Sequence, residues 1–120
     1  WIKIGDGAST EPGQGGFLSY WNGNRDAVWI KGGALQFGAG AANLPAASNS
    51  GFVRVFAADG GGVAIKANGE IWRSNVDAPA WIKIGDGAST EPGQGGFLSY
   101  WNGNRDAVWI KTSLTCALPS

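Results

Sequence analysis

The segment FVRVFAADGGGVAIKANGEIWRSNVDAPAWIKI, residues 52–84, decides the fold. Phe52-Val53-Arg54-Val55-Phe56 alternates with period two, which places Phe52, Arg54 and Phe56 on one face of a strand and Val53 and Val55 on the other. Asp59-Gly60-Gly61-Gly62 is turn chemistry, and Val63-Ala64-Ile65-Lys66 brings the chain back. Asn68-Gly69 is the signal of a two-residue hairpin turn. Glu70-Ile71-Trp72-Arg73 follows as a strand, and Ser74 to Ala80 loops into a last strand, Trp81-Ile82-Lys83-Ile84. The expectation is a four-strand antiparallel meander.

Working outward, the last strand of that meander opens a second unit. WIKIGDGASTEPGQGGFLSYWNGNRDAVWIK occupies residues 81–111 and also residues 1–31, letter for letter. Old duplications drift, and surface loops drift first. An unchanged copy is therefore recent or deliberate. Gly32-Gly33 follows the first copy and reads as a linker, which divides the chain into an added segment at 1–31, a Gly-Gly joint at 32–33 and a core β module at 34–120. The competing reading is a tandem array with a period of 80 residues.

Within each copy the same elements are expected. Trp1 to Ile4 alternates as a strand, and Gly5 to Gly16 is a long loop rich in Gly. Phe17–Trp21 and Ala27–Lys31 form a hairpin around Asn22-Gly23-Asn24-Arg25-Asp26. The counterparts are 81–84, 97–101 and 107–111. Ala34 to Phe37 suits a short strand. Residues 38–50 suit a crossing loop, with a helical turn at 39–43 as the alternative. Trp81 to Ile84 has the strand at 70–73 beside it, whereas Trp1 to Ile4 has no such neighbour in sequence. Its edge must be covered, paired from elsewhere or left open. Strand donation from a neighbouring subunit, or exchange between the two identical copies, would answer that need.

Composition narrows the function. The chain has 120 residues, enough for one domain with a core. Lys plus Arg equals Asp plus Glu at 9 each, and the pI is near 6.3. That gives no electrostatic case for nucleic acid or an anionic membrane, and no apolar run spans a bilayer. The 21 Gly and 7 Trp suit short strands and tight turns. Cys116 is the single cysteine, so no internal disulfide forms. With no His, neither a histidine base nor a zinc site is expected. Most carboxylates, among them Asp6, Asp26, Asp59, Asp77, Asp86 and Asp106, sit in turn contexts, which leaves little for a two-carboxylate glycosidase. No enzyme activity and no cofactor are expected.

Three motifs carry weaker signals. Asn22, Asn24 and Asp26 alternate like the start of a calcium loop, but Ala27 and Gly33 stand where that loop needs Gly and Glu. Gly38-Ala39-Gly40 lacks the third Gly of a dinucleotide fingerprint, with Asn43 in its place and Pro45 soon after. The strongest cluster is Trp21, Asn22, Asn24, Arg25, Asp26 and Trp29, with its twin Trp101, Asn102, Asn104, Arg105, Asp106 and Trp109. A flat indole beside amide, guanidinium and carboxylate groups suits a sugar. Cross-strand packing of the two indoles is the plainer reading and the favoured one.

Two resemblances add to this. Residues 43–74, NLPAASNSGFVRVFAADGGGVAIKANGEIWRS, resemble fibre and decoration modules of tailed bacteriophages. That resemblance implies a homo-oligomer, a trimer above all, on a virion surface or in another extracellular setting, with surface glycan as a ligand. Residues 60–85, GGGVAIKANGEIWRSNVDAPAWIKIG, are similar to a tectonin-type lectin repeat, in which each repeat is a propeller blade. Together the expectations are an all-β fold of antiparallel hairpins in a small sandwich or barrel-like module, completed by strand exchange between subunits. The role is structural or adhesive, with a lectin as the rival and a deliberately duplicated self-assembling chain as a third reading.

Overall fold

The computed structural model describes residues 1–19, 25–38, 44–58, 61–74, 80–99 and 105–112. The expected meander forms the middle layer. Its strands are β4 (Phe52–Ala58), β5 (Gly61–Lys66), β6 (Ile71–Ser74) and β7 (Trp81–Gly85), paired in sequence order and antiparallel. Before it come β1 (Gly15–Ser19), β2 (Arg25–Lys31) and β3 (Ala34–Phe37), a three-stranded sheet. After it come β8 (Gly95–Ser99) and β9 (Arg105–Trp109), a two-stranded sheet. The fold is all-β and antiparallel, built of stacked open sheets, with no closed barrel among the described residues.

Val63, Ala64 and Ile65 of β5 are all buried, so the strand has a neighbour on both faces. Ala64 joins the core cluster of Leu18, Val28, Ile30, Leu35, Phe52, Val55 and Trp81, beneath the β1–β3 sheet. Val63 and Ile65 join Ile71 and Ala88, with Phe97, Ala107 and Trp109 of the second hairpin packed against them. The order of layers is therefore first hairpin, meander, second hairpin. Each large apolar side chain so buried contributes roughly 1.5–3 kcal/mol.

The face assignment from alternation fails at one point. Phe52 pairs with Lys66 and Arg54 with Ile65, so two steps along β4 match one along β5. This β-bulge at Val53 puts Phe52 on the same side as Val55, while Phe56 packs on the opposite cluster. Asn68-Gly69 also departs from expectation. Lys66 N–H donates to Glu70 O (2.9 Å) and Gly69 N–H to Lys66 O (2.9 Å), closing a three-residue loop with Gly69 at φ 91°. Asn68 supports it by accepting from Glu70 N–H at 3.0 Å.

Gly32 and Gly33 do not act as a free joint. Lys31 pairs with Ala34, so the two glycines are the turn of a tight hairpin, with φ 59° and 84°. A turn that follows the right-handed twist of its strands needs positive φ at both residues, which Gly adopts freely. Gly33 O also accepts from Phe52 N–H at 2.8 Å, which ties the turn to the meander. The edge of β3 is held by one side chain: Asn49 Oδ1 accepts from Leu35 N–H (2.7 Å) and Asn49 Nδ2 donates to Leu35 O (3.0 Å). A short 3-10 turn at Ala46–Ser48 precedes it. The helical turn considered at 39–43 lies outside the described residues, as do the hairpin tips at 20–24 and 100–104.

The two copies fold alike where their bonds are local. Gly15 pairs with Trp29 and Ser19 with Arg25, as Gly95 pairs with Trp109 and Ser99 with Arg105. Ser9 N–H donates to Ile30 O at 3.0 Å, and Ser89 N–H to Ile110 O at 2.8 Å. They diverge at the leading residues. Trp81–Gly85 is strand β7, paired with β6, and Trp81 is buried. Residues 1–5, the same letters, are not a strand, and Trp1 and Ile2 stand in solvent. The expected strand at Trp1–Ile4 is thus absent, because a lone strand with no ladder partner gains no hydrogen bonds to offset its ordering.

Candidate functional sites

The expected sugar cluster divides. Trp21, Asn22, Asn24, Trp101, Asn102 and Asn104 lie outside the described residues. Arg25 and Asp26 open β2, and Arg105 and Asp106 open β9. Asp106 is exposed, and its Oδ1 accepts from Ala107 N–H at 2.9 Å, a contact between chain neighbours. Trp29 is only 9% exposed, and its Nε1 is buried without a hydrogen-bond partner among the described residues. The backbone of Gly5 crosses its ring so closely that a Cβ there would lie 2.7 Å from Cζ2. Trp109 packs on the second core cluster, with Gly85 against its ring in the same way. Both indoles are taken up by packing.

A polar cleft that motif reading did not find lies where the two copies approach one another. It has a volume of about 340 Å³ and is lined by Ser9, Glu11 and Gln14 of the first copy, Val53 and Arg54 of β4, Ala67, and Thr90 of the second copy. The bulge builds its floor. Val53 O accepts from Gln14 Nε2 at 2.7 Å and from an Arg54 guanidinium N–H at 2.6 Å. Gly13 O accepts from Val55 N–H at 2.7 Å, which holds the loop against β4. Arg54 Nε is buried and unpartnered among the described residues. A guanidinium, a carboxylate, hydroxyls and an amide converge here, a set that suits a hydroxylated or weakly anionic ligand. The only signal in sequence was the Gly-rich loop itself, since a bulge leaves no mark in period-two alternation.

A second polar group sits on the β6–β7 side. Glu70 lies 3.9 Å from Lys66 and 3.7 Å from Lys83, and Lys83 lies 3.1 Å from Asp86. The hydrogen bond to Asp86 raises the Lys83 pKa above its ordinary 10.5. Lys66 also stands 5.0 Å from the Phe52 ring and 5.1 Å from that of Trp72, so this cation is engaged internally. Among the described residues there is no cluster of three or more metal-ligating side chains, and no helix is long and apolar enough to cross a membrane.

Each outer face of the stack carries a largely apolar groove. One groove of about 300 Å³ is lined by Lys3, Ile4, Gly5, Ala8, Ala27 and Trp29 on the first copy. Another of about 250 Å³ runs over the second hairpin past Gly96, Val108 and Ile110. Comparison with protein-family models, with curated proteins and with solved structures finds no match to the chain.

Proposed function

We propose that the protein is a non-enzymatic structural and adhesive β module that assembles with copies of itself. One observation carries this reading. Leu18, Val28 and Ile30 are 0%, 0% and 3% exposed, yet their twins Leu98, Val108 and Ile110 are 40%, 50% and 54% exposed. The same face of one hairpin sequence is packed in one position and bare in the other, so the bare face has the composition of a buried one. The resemblance of residues 43–74 to phage fibre and decoration modules supports a virion-surface or extracellular setting and a homotrimer. The test is the mass of the full chain in solution across a dilution series. An oligomer that dissociates on dilution supports the proposal, and a monomer at the highest soluble concentration overturns it.

A second reading, recognition of a surface glycan, is favoured by the cleft around Arg54 and by the likeness of residues 60–85 to a lectin repeat. Glycan-array binding that is lost in Arg54→Ala, or in Trp21→Ala with Trp101→Ala, supports it. An array with no signal rejects it.

A further inference from the structure

Gly15 and Gly16 are neighbours on β1, so they face opposite sides of the hairpin. A Cβ at Gly16 would lie 2.8 Å from Ala57 Cβ and 3.3 Å from Ala57 N, because the meander packs directly on that backbone. At Gly96, the same residue of the second copy, nothing lies within 4 Å. The neighbouring position shows the reverse. A Cβ at Gly95 would lie 2.8 Å from Phe56 Cε2 and 3.1 Å from Ile65 Cδ1, whereas Gly15 meets only Trp29 and Val28 of its own sheet, at 3.8 Å or more. Each hairpin therefore carries two close-approach faces. The first copy uses the Gly16 face, and the second uses the Gly95 face.

The seat for the unused face is visible in the molecule. Leu18 Cδ2 stands 2.8 Å from where a Cβ on Gly62 would be, so this leucine rests on the bare backbone of β5. Leu98 has the same flanking sequence and hairpin register, and is 40% exposed. We propose that Gly96, Leu98, Val108 and Ile110 of one chain dock on Ala57 and Gly62 of a second copy of this chain. The incoming hairpin takes the place of that copy's own residues 1–31. The inference rests on the self-assembly reading and names its interface.

Exchange is nearly neutral in contacts, since the incoming hairpin repeats those of the one it displaces. Residues 81–85 keep their pairing with β6 of their own chain throughout. The second hairpin then lies between two meanders, one on its Gly95 face and one on its Gly96 face. Such a contact is head-to-tail, so it closes into a ring or runs on as a filament according to the rotation per chain.

Twin substitutions in the full-length chain test this. Gly96→Val adds a strand-favouring side chain at an open position, and it blocks approach to Ala57 of a partner. Its expected result is a folded monomer of about 12.4 kDa by sedimentation. Gly16→Val makes the same clash inside the chain, loosening the resident hairpin while leaving the incoming one intact. Its expected result is assembly equal to or greater than that of the parent. If the parent chain is monomeric, the self-assembly reading fails and this inference with it. If the parent is oligomeric and Gly96→Val keeps the same mass, self-assembly stands and this interface is wrong. Should Gly96→Val lose its β circular dichroism, Val108→Lys on the same exposed face is read in the same way.

Discussion

Replacing Leu18 and Leu98 by Ala, one at a time, compares the same residue in two packing states. Leu18 is fully buried over Gly62, so its removal leaves a cavity as well as losing transfer free energy. Buried Leu→Ala changes cost about 2–5 kcal/mol, and a site walled by backbone cannot collapse, which puts Leu18→Ala at about 3 kcal/mol. Leu98 is 40% exposed and encloses no space, so Leu98→Ala should cost about 1 kcal/mol or less. For a chain of this length, those values correspond to losses of about 12 °C and about 4 °C in Tm. The assay is urea unfolding followed by Trp fluorescence, at a dilution where mass measurements show a single chain. Equal costs for the twins, or a larger cost at Leu98, would refute the claim that one hairpin is packed on its Leu face and the other is not.

Ser74→Ala should cost about 1–3 kcal/mol, because the buried Ser74 Oγ accepts from Gly62 N–H at 2.6 Å and its loss strands that donor; amide exchange at Gly62 should speed up in parallel. Asn49→Ala should cost about 1–2 kcal/mol, since one side chain satisfies both the N–H and the C=O of Leu35. A denaturation midpoint unchanged by it would show that water serves the β3 edge equally well. The Lys83–Asp86 pair gives a pH signature. With the Lys83 pKa raised in the folded state, its contribution is fully present below pH 10.5 and is lost as pH rises through the folded value. Lys83→Met should remove that alkaline component, and a parent and variant with identical profiles above pH 10.5 would contradict it.

Much of this architecture was legible in the residues themselves. Alternation and turn chemistry located the meander at 52–84 and the two hairpins, because strand period and turn preference act over a few residues. Three features escaped for physical reasons. The bulge at Val53 shifts register without altering composition, so alternation alone places Phe52 on the wrong face. Gly32-Gly33 has the same letters as a linker or a turn, and only pairing of Lys31 with Ala34 separates them. The cleft around Arg54 draws on residues from both copies and β4, so no local motif could announce it.

Residues 1–31 and 81–111 mark where the limit lies. Their shared letters determined the hairpin, its register and the loop bonds that brace it, all of which recur in both places. The letters did not decide whether Trp-Ile-Lys-Ile-Gly is a strand, or which face of the hairpin is dry. A strand needs a partner for its ladder, and an apolar face is buried only when another layer lies against it. Both are supplied by β4–β6, which follow one copy and precede the other, so the tertiary arrangement alone made two different environments out of one sequence.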